Sequence, residues 1–154
     1  MVHALSEIRR ALVRDGILID LRPLVDDIPL EVVSASETRR AGLADQLPED
    51  RANDEAASRS MSEAEAQNWF IKEREEFFTF NYYWDSPKEM QEYVEVEWSH
   101  SITIGEEAWR SVRSTWAVAN ADARVRIPLK MLIAKWKVMK EEGVTNAQRI
   151  GPPS

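Results

Sequence analysis

The chain has no cysteine among its 154 residues, which removes disulfides, thiolate nucleophiles and Cys-ligated zinc and leaves every compartment open. Glycine is scarce: Gly16, Gly42, Gly105, Gly143 and Gly151 stand far apart, so no glycine-rich loop brings backbone amides up to a phosphate. His3 and His100 are the only histidines. A hydrolase triad therefore has few bases to draw on, and no G-x-S-x-G occurs. A metal site at His100 with Glu95 or Glu97 would be thin, so no metal is expected. No apolar run reaches the 18 residues that mark a membrane span, and Arg9, Arg10 and Arg14 are not followed by a signal-peptide core. An excess of positive charge is missing as well: the formal net charge is -7 and the pI about 5.0, which opposes binding to a phosphate backbone. The expectation is a cytoplasmic protein with neither nucleic acid nor membrane as partner.

What is present is a core. With 44% apolar residues and six Trp, the chain can bury one sizeable interior, and its length fits one domain, residues 1–142, followed by a disordered tail, 143–154, that ends in Gly151-Pro152-Pro153-Ser154. Residues 45–97 hold five basic and fifteen acidic side chains, whereas residues 98–154 hold nine basic and five acidic. An acidic middle thus has a basic C-terminal third to lie against.

Leu5, Ile8 and Leu12 recur at helical spacing, and Asp15-Gly16 ends that helix. The run Ile17-Leu18-Ile19-Asp20-Leu21 is apolar at four of five positions, which predicts a strand covered on both faces, the second half of a βαβ unit. A loop carrying Asp26 and Asp27 leads to a short strand at 30–33, with a hairpin return at 34–42 closed by Leu47-Pro48. Residues 49–67 are polar apart from Met61 and predict a surface helix. Ten of the thirteen aromatics lie in residues 69–98. Within them, 69–83 predicts a long strand with a charged, exposed middle and covered aromatic ends. Ser86-Pro87-Lys88-Glu89 is a helix start with a capping box, a second helix follows Gly105 with Trp109, Val112 and Trp116 on one face, and Val125, Ile127, Leu129, Met131 and Ile133 alternate as a strand that Pro128 demotes to an edge or a bulge.

Glu7-Ile8-Arg9-Arg10-Ala11-Leu12, Gly16 and Ile17-Leu18-Ile19-Asp20-Leu21-Arg22-Pro23 together resemble one segment of class I S-adenosylmethionine-dependent methyltransferases. In that family a helix ending in Arg and Leu is followed by a Pro-Gly-Gly turn and the fifth strand of a Rossmann-like sheet; here Arg14-Asp15-Gly16 keeps only the last glycine. The resemblance implies a sixth strand at 69–83 and an antiparallel seventh at 124–133, inserted between the fifth and sixth. The implied fold is α/β (α+β for the chain by itself): an incomplete Rossmann-like sheet of about three main strands, an added small hairpin and flanking helices. The family's glycine-rich cofactor loop has no counterpart, so no cofactor-binding residue carries over, and S-adenosylmethionine is expected only if a partner chain completes the site.

Asp20 and Arg22 would sit at the carboxyl end of a parallel strand, where open α/β sheets place ligands. Tyr82, Tyr83, Trp84 and Asp85 offer flat apolar area with polar tips suited to a pocket wall. These six are the candidate substrate-binding residues; no catalytic residue stands out, and Glu73, Glu75 and Glu76 read as a solvated charge run. Two functions are expected. One is a methyltransferase-like C-terminal module that supplies substrate-side surface and is inactive alone. The other is a non-enzymatic ligand-binding or protein-interaction module that uses the aromatics of 69–98. Because the strand at 17–21 would lose a neighbour from the parent sheet, its edge is expected to be covered by a second copy of the chain, by a partner chain, or by residues 30–33 folding back.

Overall fold

The computed structural model describes residues 2–24 and 27–140; the expected tail at 143–154 and the loop position Asp26 lie outside them. In chain order the elements are α1 (Val2–Ala11), β1 (Ile17–Pro23), β2 (Ile28–Val33), β3 (Thr38–Gln46), α2 (Pro48–Ala66), β4 (Phe70–Trp84), α3 (Pro87–Glu97), β5 (Ile102–Thr103), α4 (Glu106–Ala117) and β6 (Arg124–Val138). Six strands form one sheet in the order β1-β6-β2-β3-β5, with β4 on the other side of β6.

Every pairing is antiparallel, so the fold is α+β. The parallel strand expected to be missing beside β1 has no counterpart among the described residues, and β1 pairs with β6 alone. Nor do residues 30–33 fold back on it, since β2 pairs with β3 and β6. The strand is also not covered on both faces, because Ile17, Ile19 and Leu21 are exposed. An apolar run reads alike whether its second face is covered or bare, which is why periodicity misjudged it.

The sheet is built on β6. Side chains alternate along a strand and cross-strand partners share a face. Val125 and Ile127 are fully buried on one face, whereas Leu132, Ala134, Trp136 and Val138 are buried on the other. The pairing with β4 runs without a shift from Trp84↔Val125 to Arg74↔Lys135, so no bulge explains this change of parity. The core itself changes sides. On the first face Val125 and Ile127 join Leu30, Val32, Met90 and Val112 beneath α3 and α4. On the opposite face Ala134, Trp136 and Val138 join Leu5, Met61 and Phe70 beneath α1 and α2. Each helix pair therefore leaves the other side of its half of the sheet uncovered.

Pro128 does not put β6 at an edge, because β6 is paired on both sides. Its tolerance has a local reason. The Lys130 carbonyl accepts from Leu24 N at 2.8 Å, so Lys130, and hence Pro128 two residues away, turns its main-chain groups to the β1/β2 side. There β2 pairs only with 124–126 and β1 only with 131–137, and the missing Pro N–H points into the gap between them.

Helix ends follow the sequence closely. Ser86 Oγ accepts from Glu89 N at 3.2 Å and Pro87 opens α3; the Glu89 carboxylate reaches Asp85 N at 3.0 Å, one residue upstream of the N–H a capping box would use. At the end of α1 it is Asp15, not Gly16, that takes the left-handed conformation, with φ 60°. Gly16 is required for space, since a Cβ there would lie 2.8 Å from the Val13 carbonyl oxygen. Asp15 Oδ1 meets Lys137 Nζ at 2.8 Å and so ties this turn to the end of β6. That hydrogen bond and its charge hold the Asp15 carboxyl below, and the Lys137 amine above, their usual ranges.

Two measurements check this description. Tyr82 pairs with Ile127, and Phe70 lies twelve residues along the same strand, so the two cores are sampled roughly 40 Å apart. Ile127→Val should cost about 1 kcal/mol and Phe70→Ala about 3–5 kcal/mol in denaturant unfolding, with the double variant additive to within about 0.5 kcal/mol. A lowered carboxyl pKa stabilises the fold above the ordinary carboxylate range and loses that contribution as pH falls through the lowered value. The melting-temperature gap between wild type and Lys137→Met should therefore hold at neutral pH and close on acidification below the carboxylate range.

Candidate functional site

Asp20 and Arg22 alternate on the face of β1 that looks onto α2, opposite Ala134 and Leu132. Their side chains are 15% and 17% exposed, and Arg22 Nε faces Asp20 Oδ2 at 3.4 Å, an ionic contact in which neither atom makes a hydrogen bond. Arg22 Nη1 donates to Ser58 Oγ at 2.8 Å, and that hydroxyl donates back to the Asp54 carbonyl at 3.1 Å. The Asp54 carboxylate accepts from Gln46 Nε2 at 2.8 Å. Arg22, Gln46, Asp54 and Ser58 border an open cleft of about 260 Å³ together with Arg51 and Glu55. Gln46 and Ser60 are the buried polar residues of the described chain, and the first anchors α2 to β3. The arrangement positions α2 over β1. The Ser58 hydroxyl is engaged on both sides, accepting from Arg22 and donating to the Asp54 carbonyl.

The run Tyr82-Tyr83-Trp84-Asp85 does not act as one cluster, because alternation sends its members to opposite faces. Tyr82 and Trp84 look into the core under α3. Their rings are stacked with centroids 6.2 Å apart, and Trp98 meets Tyr82 edge-on at 4.7 Å and Trp84 at 6.0 Å. Tyr82, Trp98, Ile28 and Leu129 line a mainly apolar cleft of about 170 Å³, with Gln46, Asp50 and Ser101 as its polar members. Tyr82 thus borders a cleft, while Trp84 is packing.

Tyr83 is on the far face. Arg124 and Arg126 lie over its ring at 5.2 and 5.8 Å, each held by an acid: Arg124 Nε by Asp85 Oδ1 at 2.8 Å, and Arg126 Nε and Nη2 by Glu31 Oε2 at 2.8 and 2.5 Å. Desolvation pulls the Arg126 pKa down, but the hydrogen bonds to Tyr83 and Glu31 outweigh it and raise the group above its ordinary value. Arg22 and this cluster are separated by six residue steps along β6, from Leu132 to Arg126, roughly 20 Å. The six candidate residues therefore fall into three places.

Sequence reasoning missed Gln46, Ser58, Glu31, Arg124 and Arg126. The two arginines carried a readable signal, since they alternate with buried Val125 and Ile127 and must emerge together on the opposite face. The charge run on β4 is paired and not merely solvated: Glu73 meets Lys135 and Glu75 meets Lys72, both at 2.8 Å, and Glu76 meets Arg74. Among the described residues no group of three His, Asp or Glu is arranged to hold a metal, and no helix is long and apolar enough to cross a membrane.

Glu31→Ala should cost about 1–3 kcal/mol in denaturant unfolding, because it strips a half-buried guanidinium of its acceptor. Asp85→Ala removes a carboxylate 75% exposed and should cost less than about 1 kcal/mol. No family model, curated protein or solved structure matches the chain.

Proposed function

We propose that the chain is a non-enzymatic protein-interaction module, the second of the two functions expected from its sequence. The observation that carries this reading is the uncovered half of the sheet opposite α1 and α2. There Ile17, Ile19 and Leu21 of β1 and Phe78 and Phe80 of β4 are exposed large apolar side chains on the two sides of β6, sharing that face with Lys135, Lys137, Arg74 and Glu76. A soluble domain normally keeps such a patch only where another surface covers it. The charged residues of the two polar clusters add to the reading, because Arg22, Arg124 and Arg126 are each engaged in holding elements together. A photoreactive phenylalanine analogue placed at Ile19 in cells should give a discrete protein adduct, whereas the same probe at Val118, an exposed apolar residue after α4, should not. Absence of any discrete adduct from Ile19 rejects the module.

A methyltransferase-like C-terminal module is the second reading, favoured by one feature: β6 lies between β1 and β4 and is antiparallel to both. That is the order the resemblance assigns to the fifth, seventh and sixth strands. On this reading a partner chain would supply the cofactor half, and Asp20, Arg22 and Tyr82 would lie on the substrate side. The chain alone should then give no saturable heat with S-adenosylmethionine in titration calorimetry. Stoichiometric binding at micromolar cofactor would overturn that expectation.

A further inference from the structure

The uncovered face is a three-strand lattice whose two ends differ. Toward the middle of β6 it is largely apolar: Leu21 stands beside Ile133, whose other neighbour is Glu76, Met131 stands beside Phe78, and Leu129 beside Phe80. Toward the end of β6 Lys135 and Lys137 form the central row, flanked by Ile19 and Ile17 of β1 and by Arg74 and Ile71 of β4. Each charge on this side has an opposite neighbour: Lys135 meets Glu73, Lys137 meets Asp15, and Arg74 meets Glu76.

From this pattern we infer that the partner covering the face is a second copy of the chain, stacked face to face about a two-fold axis. The inference rests on the interaction-module reading and names its partner. Two quantities select this occupant. The first is area: Ile17, Ile19, Leu21, Ile71, Phe78 and Phe80 are each 41–56% exposed, which leaves on the order of 100 Å² per side chain, or roughly 500–600 Å² of apolar surface. A standard interface takes about 800 Å² from each partner, and homodimer interfaces are about 65% apolar, which needs roughly 520 Å². The second is charge. A two-fold interface sets a patch against itself, so any net charge on it meets its like. The chain as a whole has a formal net charge of -7, yet the three ion pairs bordering this face are each neutral, and Arg14 beside the Asp15–Lys137 pair adds at most one positive charge. An acidic or a basic partner would be matched by a face of the opposite sign, whereas a face of nearly balanced charge with exposed apolar side chains is complementary to its own copy. Stacked sheets pack about 10 Å apart with interdigitating side chains, a spacing that Ile, Leu and Phe rows fill.

Sedimentation equilibrium of the purified chain over a micromolar concentration series tests this. A monomer–dimer equilibrium is expected, with Ile19→Glu/Phe78→Glu monomeric at unchanged far-UV circular dichroism and Val118→Glu still dimeric. Lys135→Glu, which makes the patch net negative in both copies, should weaken the dimer about tenfold or more at low salt and less at high salt. Lys135→Glu/Glu73→Lys should restore it. A wild type that stays monomeric throughout, or a dimer indifferent to Ile19→Glu/Phe78→Glu, overturns the second copy. If the purified chain is monomeric while the Ile19 probe still yields an adduct with a different protein, the two-fold stack fails and the interaction module stands; if no adduct forms either, both fail.

Discussion

A strand can bury only every second side chain on a given face, and a strand of fifteen residues is longer than one helix pair of a small domain can cover. β6 meets both limits by burying odd positions in its first half and even positions in its second. The remaining architecture follows from that exchange. α3 and α4 must lie on one face and α1 and α2 on the other, and β4, paired along the whole length of β6, serves both halves. Two cores of modest size, one on each side, take the place of a single sandwich.

The same geometry governs the polar groups. Where a core is on one face, the opposite face must be made tolerable to water, and the two halves do this differently. Opposite α3 and α4 the sheet has Tyr83 between Arg124 and Arg126, each tied to a carboxylate. Opposite α1 and α2 it keeps apolar rows with a band of matched ion pairs at one end. Exposed pairs of this kind contribute little to stability. Their effect is to leave the band with nearly balanced charge.

The sequence was legible where a local signal decides the outcome. The helix at 49–67, the start at Ser86-Pro87, the hairpin after residue 30 and the strand at 69–83 all appear where caps, prolines and alternation put them. Face assignment was not legible. Alternation through Val125, Ile127, Leu129, Met131 and Ile133 is real, yet burial leaves that register after Leu129 because the helices change sides, and periodicity contains no information about where a helix will dock. The same gap explains β1, taken as doubly covered, and Phe77, Phe78 and Phe80, taken as covered ends but found exposed. Of the candidate residues, Asp20 and Arg22 come together because residues two apart on a strand share a face. Tyr82 to Asp85 were grouped by proximity along the chain, which in a strand guarantees separation.

The interruption at Pro128 has a consequence for how the molecule comes apart. On one side of β6 the ladder is continuous through β4, but on the other it is made of two short strands with a proline between them. Releasing β1 with α1 breaks no hydrogen bond of β2, and releasing β2 with β3 breaks none of β1. The backbone ladders of β1 and of β2 are thus independent on a common two-strand spine, and what couples them is α2, held to β3 through Gln46 and Asp54 and to β1 through Ser58 and Arg22.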